Sequence, residues 1–536
     1  MDEFSDEEKR LLEPFVSNID KPVFTLTNLP EVVKGALFSR YSRSAKSLRR
    51  VLLDEFMLSP EIGLKDIIHS LPKKQHSPVQ TTKAEEFYER VLVGYGDDSV
   101  AELAGAHIAL EGVSIIATKI VEDARIGLSP LEKSTRYVYF DTKKDGKWMY
   151  LREKTLMASE FAELYQETCD FCFQTYADLI PKVSEWVMKR SPKENDTTDR
   201  AYKSTIRAKT CDLLRGLLPA STLTNMGFFG DGRAYEYLLT KMFGDELAEI
   251  RELAGEMQTE LSGIIPSFVK RSNGEFGILM QEYLKKVREE TSSLISKYAG
   301  AEGGEGVGLV EYEKNAEKKA ITSIIYPHLQ KPMNEIEKIV ERMADEEKNA
   351  IIKAYIGERQ NRRHRPGRAF EHIFYTFDIC GNYGAYRDLH RHRILTQQRQ
   401  TLTPYLGYKI PDEIIQAGFE KEFRAVMGKT KETYEKIEKK YPKEAQYIVP
   451  LAYNIRWYMK LNLREAYHLL ELRSAMQGHR DYREIAQRMF KEIEKVHPHL
   501  ASGMTFMDMK DYEFERLEAE KRIDKRLEEI ANKYEK

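Results

Sequence analysis

Three consecutive cationic side chains late in the chain could bind an anion. Arg391, His392 and Arg393 follow an amphipathic stretch, Phe370 to Leu389, which predicts a helix that ends at this cluster. Guanidinium groups bind phosphate oxygens through two parallel hydrogen bonds, so such a cluster is typical of a phosphate site. Taken alone, the same residues are also compatible with a solvated helix end that interacts with the helix dipole.

Other polar residues occur at defined distances from this cluster. Glu371 belongs to a Phe-Glu-His run and lies 20 residues before Arg391. An Asn-x-Arg pattern and a Leu-Arg pair follow the cluster, and their polar residues are Asn462, Arg464, His468 and Arg473. The joint occurrence of these patterns makes a binding site a more specific interpretation than a solvated helix end.

A segment far upstream looks like a second, differently altered copy of the cluster. Within residues 124–137, residues 124–136 align without gaps on residues 391–403, and the two together give the pattern R-H-R-x-x-S-x-x-x-x-S-x-R. The upstream copy keeps Ser129, Ser134 and Arg136 but lacks Arg-His-Arg. The downstream copy keeps Arg-His-Arg but has Thr401 and Thr403 at the last two positions. We interpret the pair as a tandem duplication.

The combined pattern resembles the signature of the flavin-dependent thymidylate synthases. In that family a reduced flavin, FAD, transfers hydride after methylenetetrahydrofolate has donated a carbon to dUMP, and NADPH is the reductant. The resemblance implies that seven residues bind the cofactor: Glu371, Arg391, His392, Arg393, Asn462, Arg464 and His468. It also implies that five residues hold the nucleotide: Glu132, Ser134, Arg136, Arg215 and Arg473. Of these, Arg136 and Arg473 are assigned to catalysis.

Each copy departs from the family pattern, and the losses are complementary. Arg399 stands where the family has glutamate, and Met242 and Gln446 replace arginines. The first half keeps Glu132, Ser134, Arg136 and Arg215, whereas the second half keeps Arg391, His392, Arg393, Asn462, Arg464 and Arg473. Because family active sites are assembled between subunits of a homotetramer, we predict one composite site from two incomplete halves, and a homodimer of such pseudo-dimers.

The order of blocks along the chain predicts an α+β fold with two tandem copies of a small antiparallel sheet with helices. The glycine-rich segment 299–308 predicts a boundary without helix or strand between domains 1–298 and 309–510. Each half begins with a β-like stretch, Val33 to Tyr41 and Lys319 to Tyr326. Residues at about 142–203 are predicted to be a helical insertion, and residues 511–536 a charged helical tail.

Composition sets limits on partners and location. The 536 residues are 41% hydrophobic and 32% charged with a formal net charge of −2, which favours a globular cytoplasmic protein. Neither a nucleic-acid polymer nor a membrane is indicated as a partner, because basic excess and long apolar runs are both lacking.

The cysteine and histidine residues do not predict a metal site. Four cysteines are too few for a disulfide framework in a chain of this length. Cys169 and Cys172 form a C-x-x-C within a helical pattern, and we interpret them as ordinary residues of a helix face. His390 and His392 are two positions apart and would not share a helix face.

Three functional hypotheses therefore remain. The first is an enzyme that converts dUMP to dTMP. The second is a degenerate paralogue that binds flavin or nucleotide without catalysis. The third is a structural protein whose duplicated domains serve only as an oligomer scaffold.

Overall fold

The computed structural model describes residues 3–58, 98–298, 300 and 306–534, with only the backbone for residues 98–100. These residues divide into two compact units. The first unit comprises Met1–Val113, Ile120–Lys133 and Thr224–Ala299, and the second comprises Ser114–Lys119, Ser134–Leu223 and Gly300–Lys536. Within the described ranges, no helix is both long and apolar enough to cross a bilayer.

In the part of the chain that the structure describes, seven strands form two sheets. The strands are β1 (Gly105–Ser114), β2 (Leu128–Glu132), β3 (Leu223–Asp231), β4 (Gly306–Tyr312), β5 (Phe374–Asn382), β6 (Thr396–Arg399) and β7 (Asn454–Asn462). The first sheet has the order β1-β3-β2 and the second β4-β5-β7-β6. The pairs β2·β3, β4·β5, β5·β7 and β6·β7 are antiparallel. The fold is therefore α+β with two small antiparallel sheets, as the sequence predicted.

Helices make up most of the remaining described chain. They are α1 (Asp6–Leu12), α2 (Glu31–Tyr41), α3 (Leu48–Val51), α4 (Ile115–Glu122), α5 (Lys154–Met157), α6 (Ala162–Arg190), α7 (Asp199–Leu214), α8 (Gly232–Phe243), α9 (Ala248–Ser262), α10 (Pro266–Val269), α11 (Glu275–Ile295), α12 (Ala316–Ile325), α13 (Met333–Arg342), α14 (Asp345–Ile356), α15 (Tyr383–Leu389), α16 (Asp412–Gln416), α17 (Glu420–Ile437), α18 (Leu463–Arg473), α19 (Arg480–Val496), α20 (Pro498–Ala501) and α21 (Leu517–Tyr534). Short 3₁₀ turns precede several strands, among them Asp98–Leu103, Arg215–Leu217, Arg368–His372 and Glu444–Ile448.

The two halves of the chain repeat one order of elements. In the first half, a 3₁₀ turn is followed by β1, α4, β2, a second 3₁₀ turn, β3 and α8. In the second half the same order runs through β5, α15, β6, a 3₁₀ turn, β7 and α18. The strand orders β1-β3-β2 and β5-β7-β6 correspond as well. This repetition is what a tandem duplication predicts; the pseudo-dimer and the domain limits 1–298 and 309–510 stay predictions.

Two predicted β-like stretches are helical, which corrects the sequence prediction. Residues 33–41 lie in α2, where Val33, Ala36 and Leu37 are buried. Residues 319–325 lie in α12, where Ala316, Ala320 and Ile324 are buried. In α12 the residues Ala316, Ala320 and Ile324 recur at four-residue intervals on one helix face, whereas α2 is buried at most of its positions. Packing in the fold therefore overrides the β preference of valine and isoleucine.

The predicted helix from Phe370 to Leu389 is also wrong. Its first residues form a 3₁₀ turn, its centre is β5 and only its end is a helix, α15. In β5, Tyr375, Phe377 and Ile379 are fully buried and alternate with more exposed residues. This alternation has the period of a strand. The mixed pattern resembled one helix because two elements of different period follow each other without a turn.

The glycine-rich boundary is shorter than the sequence predicted. Residues 299 and 301–305 lie outside the described part of the chain, but strand β4 begins at Gly306. Gly306 pairs with Cys380 and Gly308 with Asp378 of β5. The backbone hydrogen bonds of this ladder stabilise an extended conformation that glycine does not favour by itself.

The second unit contains residues from both halves of the sequence. Helices α5, α6 and α7 cover most of residues 142–203, so this segment is helical. Thr168 of α6 is hydrogen-bonded to Thr433 of α17 at 2.8 Å, and Pro219 forms an isolated bridge with Pro450. Cys169 and Cys172 are free thiols buried in α6, as predicted for a helix face.

The charged tail packs on α7. Its helix, α21, places Glu520 at 3.1 Å from Arg200 and Lys521 at 2.7 Å from Glu194.

Candidate anion-binding site

Asparagine caps fix the two helices that carry the main site residues. The side chain of Asn382 accepts a hydrogen bond from the amide of Ala385 and starts α15 directly after β5. The side chain of Asn462 likewise accepts from the amide of Glu465 and starts α18 directly after β7. Such caps satisfy backbone donors at a helix start. The neighbouring strands β5 and β7 therefore project two helices whose last turns carry Asp388 and Arg473.

Asp388 is a buried carboxylate surrounded by arginines. Its Oδ2 atom lies 3.3 Å from Nη1 of Arg215, a residue that comes from the first half of the sequence. Burial alone would raise the pKa of Asp388, but Arg215 and Arg391 lower it, with smaller contributions from Arg136 and Arg473. The pKa therefore lies well below its usual value, and Asp388 is ionised at neutral pH.

Arg136 is held by a second buried carboxylate. Its Nε and Nη2 atoms donate to the two oxygens of Asp212 at 2.8 and 2.7 Å, and Nη1 donates to the hydroxyl of Tyr482 at 3.1 Å. Burial opposes ionisation of Asp212, but the charge of Arg136 outweighs it and brings the pKa to about 2. The bidentate pair fixes the orientation of Arg136.

Tyr482 lies between two arginines that sequence analysis assigned to catalysis. The guanidinium carbon of Arg136 is 5.7 Å from the Tyr482 ring centroid, and that of Arg473 is 5.5 Å from it. Both distances are within the range of cation–π attraction. Arg136 from the first half and Arg473 from the second half are thus brought together in the second unit.

A histidine–glutamate network holds Arg473. Its Nε atom donates to Nε2 of His392 at 2.9 Å, so the proton of this imidazole lies on Nδ1, which faces Glu465 at 2.8 Å. His468 approaches the other oxygen of Glu465 at 3.4 Å. Burial lowers the pKa of His392 to about 4, so its ring is neutral at neutral pH.

The same three residues have the composition of a metal site. His392, Glu465 and His468 are a group that could hold a metal ion. In the observed network, however, the Nδ1 atom of His392 carries a proton and Nε2 accepts from Arg473. Neither nitrogen then offers a lone pair to a cation, and Arg473 adds a positive charge next to it. The arrangement fits a positioning network better than a metal site.

Arginines and carboxylates are interspersed in this cluster. Four arginines act on the carboxylate of Asp388, namely Arg136, Arg215, Arg391 and Arg473, and Arg215 also acts on Asp212 and Asp481. Nη2 of Arg215 is buried without a hydrogen-bond partner, and the Arg215 side chain is 5% exposed. Burial lowers the pKa of Arg473 and Arg391 adds to this, whereas Asp388 opposes it. A buried donor such as Nη2 of Arg215 favours a ligand with a hydrogen-bond acceptor, and the oxygens of an anion are such acceptors.

The residues assigned to flavin do not all lie together, because Arg391 and His392 contact the arginine cluster whereas Arg464 pairs with Glu371. Arg391 is half-buried and Arg393 is exposed. Arg464 pairs with Glu371 at 3.2 Å. Glu371 also lines a pocket of about 540 Å³ together with Lys319, His328, Arg368 and His372. Asn462 caps α18, and both ring nitrogens of the buried His392 are hydrogen-bonded. These two residues therefore position neighbouring groups.

The remaining nucleotide residues are divided between the units. The amide of Arg136 donates to the Ser134 hydroxyl at 3.2 Å, which places Ser134 beside the arginine cluster. Glu132 is buried and belongs to the first unit. Its assignment to the nucleotide stays a prediction.

Residues that depart from the family pattern have structural contacts. Arg399 donates to the hydroxyl of Tyr386 at 3.2 Å. Thr403 caps the turn at Pro404–Leu406, and the side chain of Gln446 accepts from the amide of Leu402 at 3.4 Å. Met242 is fully buried in α8. These positions now stabilise the local fold.

Sequence reasoning missed the residues that hold the arginines. Asp388 lies three residues before Arg391, which was a usable signal, because a carboxylate next to a cationic cluster suggests an ion pair. Asp212 and Tyr482 gave no signal. They lie 76 and 346 positions from Arg136.

The sequence matches a known family in two segments. The sequence model of the family described as thymidylate synthase complementing protein matches residues 51–267 and 308–499. This chain belongs to that family. The two matched segments also agree with the tandem order of elements described above.

Two of the relatives match this chain over nearly their whole length, and a third matches over part of it. A UPF0159 protein of Chlamydia pneumoniae is 43% identical over 97% of this chain and 98% of its own length. A UPF0159 protein of Chlamydia muridarum is 45% identical with the same coverage. A flavin-dependent thymidylate synthase of Sulfolobus acidocaldarius is 29% identical over 36% of this chain and 74% of its own length.

Proposed function

We propose that this family member is a flavin-dependent enzyme that reductively methylates dUMP to dTMP, with methylenetetrahydrofolate as carbon donor and NADPH as reductant. The observation that carries the proposal is the arginine cluster of the second unit. Four arginines act on the buried Asp388 there, and Nη2 of Arg215 is a buried donor without a hydrogen-bond partner. The phosphate of a nucleoside monophosphate supplies negative charge of the required kind.

The roles of the arginines follow from their contacts. Arg215 and Arg473 have donors that are not used within the cluster, and we assign them to the phosphate and the uracil ring. The guanidinium of Arg136 donates two hydrogen bonds to Asp212, and we assign Arg136 to the shape and electrostatic potential of the site. Fixed positive charge stabilises the negative charge that develops on uracil during carbon transfer.

The residues near Arg391 suit a flavin. Arg391 and Arg393 offer cationic donors to a pyrophosphate, and the pocket of about 540 Å³ next to Glu371 adds Lys319 and Arg368. FAD, when bound, supplies the hydride chemistry that no side chain can perform. Arg464 and His468 would orient it from α18. Association of two chains belongs to this proposal, because the family resemblance implies a tetramer of single domains.

A second function deserves a test because several signature positions have taken structural roles. Arg399 is bonded to Tyr386 and Thr403 caps a turn. These contacts favour a paralogue that binds nucleotide or flavin without turnover.

One experiment separates these functions. The full chain is titrated calorimetrically with dUMP and with deoxyuridine, and dTMP formation is then measured with all co-substrates present. The synthase proposal expects dUMP binding, deoxyuridine binding at least about 30-fold weaker, since a charged contact contributes about 2–5 kcal/mol, and dTMP as product. Binding without dTMP would leave only the paralogue, and absence of dUMP binding would overturn the synthase and every nucleotide-binding form of the paralogue.

A further inference from the structure

The first unit contains a large pocket where chain order places the counterpart of the flavin residues. It has a volume of about 720 Å³ and lies between residues 123–127, α8 and α11. We propose that this pocket is a second binding site, which takes an uncharged planar heterocycle such as a nucleoside or an isoalloxazine ring. The inference rests on the first unit alone and does not depend on the proposed function of the second.

The two arginines of the second-half loop have uncharged counterparts in this pocket. The gapless alignment of the two loops places Ala124 and Ile126 where the second half has Arg391 and Arg393. Both first-half residues line the pocket. A phosphate or pyrophosphate therefore loses the two guanidinium groups that would bind it.

A phenol ring takes the place of an imidazole on the facing helix. The distance along the chain from Pro219 to Arg233 equals that from Pro450 to Arg464, so Tyr237 of α8 corresponds to a histidine of α18. The ammonium group of Lys241 lies 4.0 Å from the Tyr237 ring centroid. Lysine thus polarises this ring, and more than half of the Tyr237 side chain stays exposed.

The remaining charges of the pocket are balanced. Arg233 pairs with Glu102 at 2.7 Å, and Arg271 lies 3.4 Å from Glu236. Four cationic and four acidic side chains line the pocket in total. Because no sign is in excess, the lining charges give a ligand with net charge no overall electrostatic advantage over a neutral one.

Three large apolar or aromatic side chains that line the pocket are exposed. Ile126 is 75% exposed, Tyr237 52% and Phe276 77%. All three line the same pocket, on the loop, α8 and α11 respectively. Flat apolar and aromatic side chains around one cavity are suited to stack a planar ring, and stacking tolerates different heterocycles because each has a π face.

Riboflavin and adenosine are suitable probes because both are planar and carry no phosphate. The full chain with Arg391→Ala and Arg393→Ala, which removes the flavin donors of the second half, is titrated with each probe and with FMN. We expect one riboflavin per chain, FMN no tighter than riboflavin, and little change in affinity with salt. Tyr237→Ala or Phe276→Ala should weaken binding at least about 10-fold, whereas Tyr237→Phe, the matched control, should preserve it.

Three results would overturn the site. They are absence of binding by both probes, unchanged binding in Tyr237→Ala and Phe276→Ala, and FMN binding more than about 10-fold tighter than riboflavin, a difference that signals a phosphate site. Should the double arginine variant not fold, the parent chain gives the same decision. There, Tyr237→Ala must remove one equivalent of bound riboflavin and Tyr237→Phe must not.

Discussion

Replacing Arg473 by alanine should abolish dUMP binding and leave the fold stable. Its guanidinium donates from Nε to Nε2 of His392 at 2.9 Å and also interacts with the hydroxyl of Tyr482. Burial lowers the pKa of Arg473 and the charge of Arg391 adds to this, whereas Asp388 opposes it, so the positive charge is less favourable here than in water. The phosphate of dUMP would compensate this charge.

The two effects differ in size. Loss of the hydrogen bond to His392 costs about 0.5–1.5 kcal/mol. Removal of a poorly solvated charge close to Arg391 offsets part of this cost, so we expect the free energy of unfolding to change by about 1 kcal/mol or less. Loss of a partly buried contact to a phosphate should weaken dUMP binding by about 2–5 kcal/mol, which is roughly 30- to 5,000-fold.

Calorimetric titration with dUMP and urea unfolding measure these quantities on the same samples. Arg424→Ala is a matched control, because Arg424 lies on α17 with its side chain 59% exposed and forms a salt bridge with Glu420 of the same helix. The control should bind dUMP as the parent does. The reasoning is refuted if Arg473→Ala binds dUMP within about threefold of the parent, or if it loses more than about 3 kcal/mol of stability.

Three further predictions concern the same unit. Arg136→Ala should lower the free energy of unfolding by about 3–5 kcal/mol, because it leaves the Asp212 carboxylate buried and unpaired; a urea unfolding curve equal to the parent's would contradict this. Arg391→Ala with Arg393→Ala should remove flavin absorbance from the purified protein while circular dichroism stays unchanged, and retained flavin would show that these residues are structural. Finally, the pKa of His392 in the folded protein is lowered to about 4. As the pH decreases, His392 is therefore protonated in the unfolded chain before it is protonated in the folded protein. Stability should therefore fall as pH decreases from about 6.5 to about 4, by at most about 1.4 kcal/mol per pH unit from this group, and a flat profile there would contradict its neutral state.

Local sequence patterns were sufficient to identify the family and the class of fold. The signature segments at residues 124–137 and 391–403, together with equal spacing in the later blocks, indicated a duplicated domain. These patterns can be recognised because residues that bind one ligand lie at fixed positions on short elements. The helical segment between the first loop and Arg215 was predicted for a similar reason, since its periodicity is local.

The element boundaries were less predictable. Strand β5 and helix α15 follow each other without a turn, so residues 370–389 resembled a single helix. Only the pairing of β5 with β4 and β7 distinguishes the strand, and that pairing involves residues far away in the chain. Strand β4 likewise begins in a glycine-rich segment because its partner supplies the hydrogen bonds.

The protonation states and fixed orientations of the site residues were decided by tertiary structure alone. Arg136 reaches Asp212 and Tyr482, which are distant in sequence and carry no signature. His392 appeared in the sequence as part of a cationic cluster, but burial lowers its pKa to about 4 and makes it a neutral acceptor for Arg473. A sequence specifies which groups can ionise, whereas burial and long-range neighbours determine whether they do and which way they point.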